Sequence, residues 1–213
     1  MKVGVIDYGV GNLGSVVRAL EELRVTPVLI DRAIDMHNAD CLILPGVGNF
    51  ADCKKLLDEG GWVVALRDEV LGYKKPLLGV CLGMQLLADA SAEGADDGHI
   101  TKGLGFVPGV VEHLSKLGSA LRVPHVGWNS IVSTQKNDRL LAGIPDGTDF
   151  YFVNSYAFLP KSSADILAVT EYGVPVTAIV RRGHVWGTQF HPEKSSKAGF
   201  RLLRNFIEGP YEW

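Results

Sequence analysis

Pro76-Leu77-Leu78-Gly79-Val80-Cys81-Leu82-Gly83-Met84-Gln85 is the stretch on which the reading of this chain turns. Residues 76–80 form a short apolar run of strand length, and residues 82–90 carry the composition of a helix leaving that strand. A cysteine between two glycines at such a junction has the layout of a nucleophile elbow, better known with serine in G-x-S-x-G. The glycines are needed because the backbone turns sharply and neighbouring elements approach closely. At a helix N-terminus the free N–H groups and the helix dipole favour a thiolate. The N–H of Leu82 is aimed where a developing oxyanion could be held.

Outward from this stretch the pattern alternates. Residues 2–7, 25–31 and 40–44 read as strands, with Pro27 marking an edge or a strand start. Helical patterns occupy roughly 13–24, 49–57 and 62–71. Short apolar strands alternating with amphipathic helices predict an α/β fold, a mostly parallel central sheet with helices on both faces. The second half is richer in β pattern, at 105–112, 130–133, 150–158, 166–171, 176–180 and 185–189, and a last helix is expected at 195–207. No repeat, linker or low-complexity tract interrupts residues 1–213, so one domain is the economical expectation.

The bulk properties exclude several classes. With 46% hydrophobic and 21% charged residues the composition is that of an ordinary globular enzyme. A net charge of −3 gives no electrostatic reason to expect nucleic acid or an anionic membrane as partner. No apolar run approaches the length of a membrane span. The N-terminus, Met1-Lys2-Val3-Gly4-Val5-Ile6-Asp7, turns polar too early for a signal peptide, which predicts a cytoplasmic protein. Cys41, Cys53 and Cys81 form no C-x-x-C pair, so neither a disulfide framework nor a metal site is expected.

Gly9-Val10-Gly11-Asn12-Leu13-Gly14 matches the dinucleotide-binding G-x-G-x-x-G, and Asp31 stands where a ribose-binding acid would. The bulky pair Asp7-Tyr8 ahead of the first glycine argues against that reading, since the fingerprint wants a tight turn there. No cofactor is expected. A sulfur nucleophile that attacks an amide needs a partner to protonate the leaving nitrogen. His37, His99, His113 and His184 have no second catalytic group in fixed relation, and His125 has no acid nearby in sequence. His191 stands in His191-Pro192-Glu193, directly after a predicted strand. Pro192 stiffens the turn, and a carboxylate beside an imidazole fixes its tautomer and stabilises its cation.

The elbow Gly79-Val80-Cys81-Leu82-Gly83-Met84-Gln85 and the distant His191-Pro192-Glu193 resemble the triad-type (class I) glutamine amidotransferases. Within them, the chain is similar to the glutaminase subunits of imidazole glycerol phosphate synthase, over essentially its whole length. The supporting stretches are Asp7-Tyr8-Gly9-Val10-Gly11-Asn12-Leu13-Gly14-Ser15, Leu44-Pro45-Gly46-Val47-Gly48-Asn49-Phe50, Pro124-His125-Val126-Gly127-Trp128-Asn129, Tyr151-Phe152-Val153-Asn154-Ser155-Tyr156 and Gln189-Phe190-His191-Pro192-Glu193-Lys194-Ser195-Ser196.

The resemblance implies that Cys81 attacks L-glutamine to give a γ-glutamyl thioester, that His191 protonates the departing ammonia, and that Glu193 orients His191. It implies a three-layer fold, substrate contacts from Gln85, Glu93, Ser155 and Tyr156, and an oxyanion strand at Gly46-Val47-Gly48 alongside Leu82. Asn12, Trp128, Tyr151 and Lys194 fall on positions that face a partner, a cyclase/synthase subunit of the (β/α)8-barrel type that forms a heterodimer and uses the ammonia in histidine biosynthesis. Asn154 departs from the histidine usual in the family. Two alternatives stay open on sequence: a paralogous amidotransferase subunit serving amidino-sugar synthesis, and a cysteine peptidase or hydrolase on a related scaffold.

Overall fold

A computed structural model describes residues 1–93, 100–135 and 137–209 of the chain. The elbow strand stands in the middle of the main sheet. β1 (Val3–Ile6), β2 (Pro27–Ile30), β3 (Cys41–Gly46), β4 (Leu77–Cys81) and β13 (Val185–Thr188) run parallel, in the order β2-β1-β3-β4-β13. β2 is the edge strand, as Pro27 suggests. Four further strands, β8 (His125–Ser133), β9 (Thr148–Asn154), β11 (Ile166–Glu171) and β12 (Pro175–Arg182), continue it antiparallel beyond β13, in the order β12-β11-β8-β9. The reversal follows from loop length. Residues 172–174 and 183–184 are too few for the crossover that parallel neighbours need.

Helices cover both faces because the strands alternate. On β3, Cys41 and Ile43 point to one side, where they join Val16 and Leu20 of α1 (Leu13–Glu22) and Leu202 and Phe206 of α5 (Ser196–Glu208). Leu42 and Leu44 point to the other, against Phe50 and Leu57 of α2 (Phe50–Glu59) and Leu66 of α3 (Trp62–Leu66). β5 (Ala90–Ser91), β6 (Thr101–Lys102), β7 (Gly109–His113) and β10 (Tyr156–Pro160) form a second sheet, ordered β10-β7-β5-β6. Among the described residues no helix is long and apolar enough to cross a membrane.

Two of the differences from expectation shape the site. The helix after the elbow, α4 (Leu82–Gln85), is a single turn rather than a helix over 82–90. The carbonyls beyond it are taken by a returning segment: Leu104 N–H donates to Leu86 O at 2.8 Å, Phe106 to Leu87 at 2.9 Å and Gly105 to Ala88 at 3.0 Å. The strand expected over 150–158 is two strands in two sheets, broken at Ser155. There the Asn154 side-chain amide donates to Tyr156 O at 3.0 Å, and the chain leaves β8 to pair with β7. The break brings Ser155 and Tyr156 to the cavity that Cys81 also lines.

The elbow glycines are required sterically. A Cβ at Gly79 would lie 2.6 Å from the carbonyl oxygen of Gly83, and one at Gly83 would overlap the carbonyl oxygen of Leu44. We expect Gly83→Ala to destabilise the protein by more than about 3 kcal/mol, the range of severe core changes. A urea-unfolding midpoint equal to that of the parent would show that α4 can move away from β3.

Candidate active site

Cys81 ends β4 and begins α4 with φ 56° and ψ −113°. For a non-glycine residue this left-handed φ is strained by about 1–3 kcal/mol, tolerated when the surroundings over-determine it. Here they do: Gly46 lies beside Cys81 in the β3–β4 register, and the two elbow glycines let α4 press on β3. The first N–H groups of α4 have no partner within the helix, which leaves the Leu82 N–H available beside the sulfur.

The second half of the site arrives through β13. Thr188 pairs with Val80, so the chain leaving β13 passes directly beside the elbow. His191 is tied down by its N–H, which donates to Tyr151 O at 3.0 Å, and Pro192–Lys194 makes one 3-10 turn. That turn brings Glu193 back to the ring. His191 Nδ1–H donates to Glu193 Oε1 at 2.8 Å, and the ring lines the same cavity as Cys81. Both side chains are almost wholly buried, 5% exposed for His191 and 1% for Glu193.

Burial alone would push the His191 imidazole down. The neighbouring Cys81 and Glu193 side chains outweigh it and raise the group to about 9. His191 is therefore an imidazolium at neutral pH, the form that can protonate a leaving amine. Its unperturbed value is 6.5, so its contribution to stability is complete below that pH and is lost as pH rises through about 9. We expect a fall in unfolding free energy across this window, and loss of the acid catalyst over its upper part. His191→Gln should remove that component of the stability–pH curve; a curve of unchanged shape would contradict the raised value.

Cys81 and His191 open into a cavity of about 370 Å³, also lined by Val47, Gly48, Leu82, Gln85, Glu93, Ser155 and Tyr156. Gly46 stands behind it, where a Cβ would lie 2.7 Å from Gly83 N. The Gln85 amide is held by Tyr156 O at 3.1 Å and Gln189 Oε1 at 3.0 Å. Burial pushes the Glu93 carboxyl up, and the N–H of Phe50, at 3.2 Å, partly offsets this. A cysteine at a helix start, an imidazole bonded to a carboxylate and two further polar side chains around one cavity are an arrangement that can carry out acyl transfer on a small amide.

The remaining residues fall at the rim and outside it. Lys194 and Asn154 line the cavity. Trp128 and Tyr151 lie side by side on β8 and β9, ring centroids 5.9 Å apart, and Trp128 is 55% exposed. Asn12 is closer to the chemistry than its place in the sequence suggests, because its side-chain amide donates to Glu193 Oε1 at 3.2 Å. The N-terminal glycines serve that placement, with Gly11 at φ 144° and packed against Pro45.

His125 is a core residue. It is stacked against Phe152 and Tyr172, and burial pushes it down to about 4. His99 lies outside the described residues. Sequence reasoning gave no role to Gln189, which is fully buried and donates to Cys81 Sγ at 3.9 Å, or to the Val153 carbonyl, 3.8 Å from the same sulfur. Gln189 stands two residues before His191, and that proximity was the available signal.

The family model described as glutamine amidotransferase class-I matches residues 4–209. The chain is 46% identical to the imidazole glycerol phosphate synthase subunit HisH of Rhodospirillum rubrum, over 97% of this chain and 98% of that protein. It is 44% identical to the subunit of the same name in Moorella thermoacetica, over 97% and 94%. Among solved structures, one described as a glutamine amidotransferase superposes with a TM-score of 0.73 at 24% identity, covering 97% of each chain. PurLQS from Thermotoga maritima superposes with a TM-score of 0.73 at 15% identity, again over 97% of each chain. Both of these likenesses concern the fold.

Proposed function

The chain belongs to the class-I glutamine amidotransferase family, and from that premise we propose that Cys81, His191 and Glu193 are the triad with which it releases ammonia from L-glutamine. The chain is the glutaminase subunit of an imidazole glycerol phosphate synthase, acting in histidine biosynthesis. The observation that carries the triad assignment is the His191 ring, bonded through Nδ1–H to Glu193 and opening with the elbow cysteine into one small cavity.

Glutamine would enter with its side-chain amide toward Cys81 and its α-substituents toward Gln85, Glu93 and the main chain of Ser155 and Tyr156. Cys81 reacts as the thiolate, its proton already residing on His191; the sulfur adds to the amide carbon, and the oxyanion is met by the Leu82 N–H and by the strand end at Gly46-Val47-Gly48. His191 delivers its proton to the nitrogen as the C–N bond breaks, releasing ammonia and leaving a γ-glutamyl thioester. The now neutral imidazole takes a proton from water, hydroxide adds to the thioester, and glutamate departs as the sulfur is expelled. Glu193 keeps the Nδ1–H of His191 engaged throughout, so that Nε2 is the nitrogen that exchanges the proton.

Ammonia made in this pocket needs an acceptor. We assign that role to a synthase subunit of the (β/α)8-barrel type, bound as a heterodimer in the cytoplasm against Asn12, Trp128, Tyr151 and Lys194. Uncoupled hydrolysis wastes glutamine, so the isolated chain is expected to be slow. One correctly placed oxyanion donor is worth on the order of a hundred- to a thousandfold in rate. Gly48, at φ 91° with open space around it, lets the strand end reorient at low cost. The test is ammonia release from glutamine by the chain alone, with its synthase partner, and with partner plus acceptor substrate. A generic peptide substrate serves as the control for peptidase activity. Full speed for the lone chain would contradict the gating, and turnover of the peptide instead of glutamine would contradict the function.

A further inference from the structure

Two helices begin beside the catalytic turn, and the residue at the N-cap of each leaves its own helix uncapped. Asn12 precedes α1 and Ser195 precedes α5, both residue types that cap well, yet neither side chain bonds its helix. Asn49, ahead of α2, shows the ordinary behaviour and accepts from the N–H groups of Ala51 and Asp52. The diverted side chains converge on one segment. Asn12 reaches Glu193 Oε1, while Ser195 Oγ donates to His191 O at 2.6 Å and accepts the Tyr151 N–H at 3.0 Å.

The Ser195 contacts close a ring. Tyr151 N–H donates to Ser195 Oγ, Ser195 Oγ–H donates to His191 C=O, and His191 N–H donates back to Tyr151 C=O. Both peptide groups of Tyr151 are thus bonded to the catalytic turn. Ser195 is 1% exposed, so water does not compete for its hydroxyl. The following residue, Ser196, takes a strained φ of 52° to bring the chain round into α5. On the outer face of the same strand, the Tyr151 ring packs edge-on against the exposed Trp128.

We propose that Ser195 is a positioning residue for glutamine hydrolysis. Its hydroxyl fixes the main chain of His191 to β9, so that the imidazole keeps its place between Cys81 and Glu193. The same ring carries any displacement of Tyr151 at the exposed Trp128–Tyr151 face directly to His191. The proposal rests on the triad assignment made above and adds a residue that touches neither glutamine nor the sulfur.

The experiment compares wild type, Ser195→Ala, Ser195→Thr and Ser195→Cys in complex with the synthase partner, reading kcat and KM for glutamine and the thermal midpoint of each. Ser195→Ala should lose about ten- to a hundredfold in kcat, the scale of a small misplacement of a reacting group, with KM within about twofold. A hydroxyl or thiol at 195 should restore part of that loss, and whichever of the Thr and Cys variants keeps the wild-type midpoint is the one read. Wild-type kcat in Ser195→Ala overturns the inference, as does an equal loss in every folded variant, which would make the effect one of shape. A wild-type complex that releases no ammonia would remove the glutaminase reading and this inference together. A working wild type beside an unimpaired Ser195→Ala would remove this inference alone.

Discussion

Cys81→Ala should lower glutamine-dependent ammonia release by on the order of ten-thousandfold or more, the scale on which removal of a sole nucleophile acts. In the proposed reaction Cys81 supplies the bond-forming atom, and no other described cysteine can replace it: Cys53 is buried and its thiol donates to the Val47 carbonyl at 3.3 Å, and Cys41 is fully buried in β3. The substitution removes one sulfur from a residue that is 7% exposed, so the fold and partner binding should persist. The complex of this variant with its synthase partner should still form product when supplied with ammonium salts, because acceptor chemistry does not use Cys81. Substantial glutamine hydrolysis by the purified variant in the presence of partner would overturn the triad, and failure with ammonium salts would show that the substitution harms the complex itself.

The second large effect is at His191, and its size relative to Glu193 is the informative quantity. On the proposed triad, His191→Ala removes both the proton donor for ammonia and the base for water, so its loss should approach that of Cys81→Ala. Glu193→Ala removes only the group that holds Nδ1–H. The main-chain bond from His191 N–H to Tyr151 O remains, and the imidazole can still work poorly. We expect the Glu193 loss to be on the order of ten- to a hundredfold smaller than the His191 loss, as unequal triad deletions in other enzymes behave. Equal losses measured as kcat would mean that Glu193 acts on substrate or proton directly. Because Asn12 donates to the same carboxylate oxygen, Glu193→Ala also leaves the Asn12 amide without this partner.

The parallel half of the fold was legible because its signals are local and continuous. A buried strand such as Leu77–Cys81 is apolar throughout, and the helices between strands are long enough to show their period. The elbow could be read for the same reason, since Gly79, Cys81 and Gly83 stand within five residues. What was hidden depends on contacts distant in sequence. Residues 150–158 give no turn signal of their own, and the break at Ser155 comes from the Asn154 amide and from the pairing of Tyr156–Pro160 with β7. The helix over 82–90 looks continuous until residues 103–106 claim its carbonyls. The contact of Asn12 with Glu193 spans 181 positions, and Asn12 and Ser195 look like ordinary helix caps until their partners are seen. Pairings of this kind have no sequence period to reveal them.

On the proposed triad, which the fold assembles from its two halves, glutamine passes through a covalent γ-glutamyl thioester on Cys81. The most direct test of this is a rapid acid quench of the complex turning over glutamine, followed by mass spectrometry of the peptide containing Cys81. One γ-glutamyl group is expected on that peptide, absent in Cys81→Ala and on the peptides carrying Cys41 and Cys53, and accumulating when hydrolysis of the thioester is slowed by His191→Gln. A complex that releases ammonia at its full rate while no acyl group ever appears on Cys81, in either the parent or the slowed variant, would contradict this intermediate.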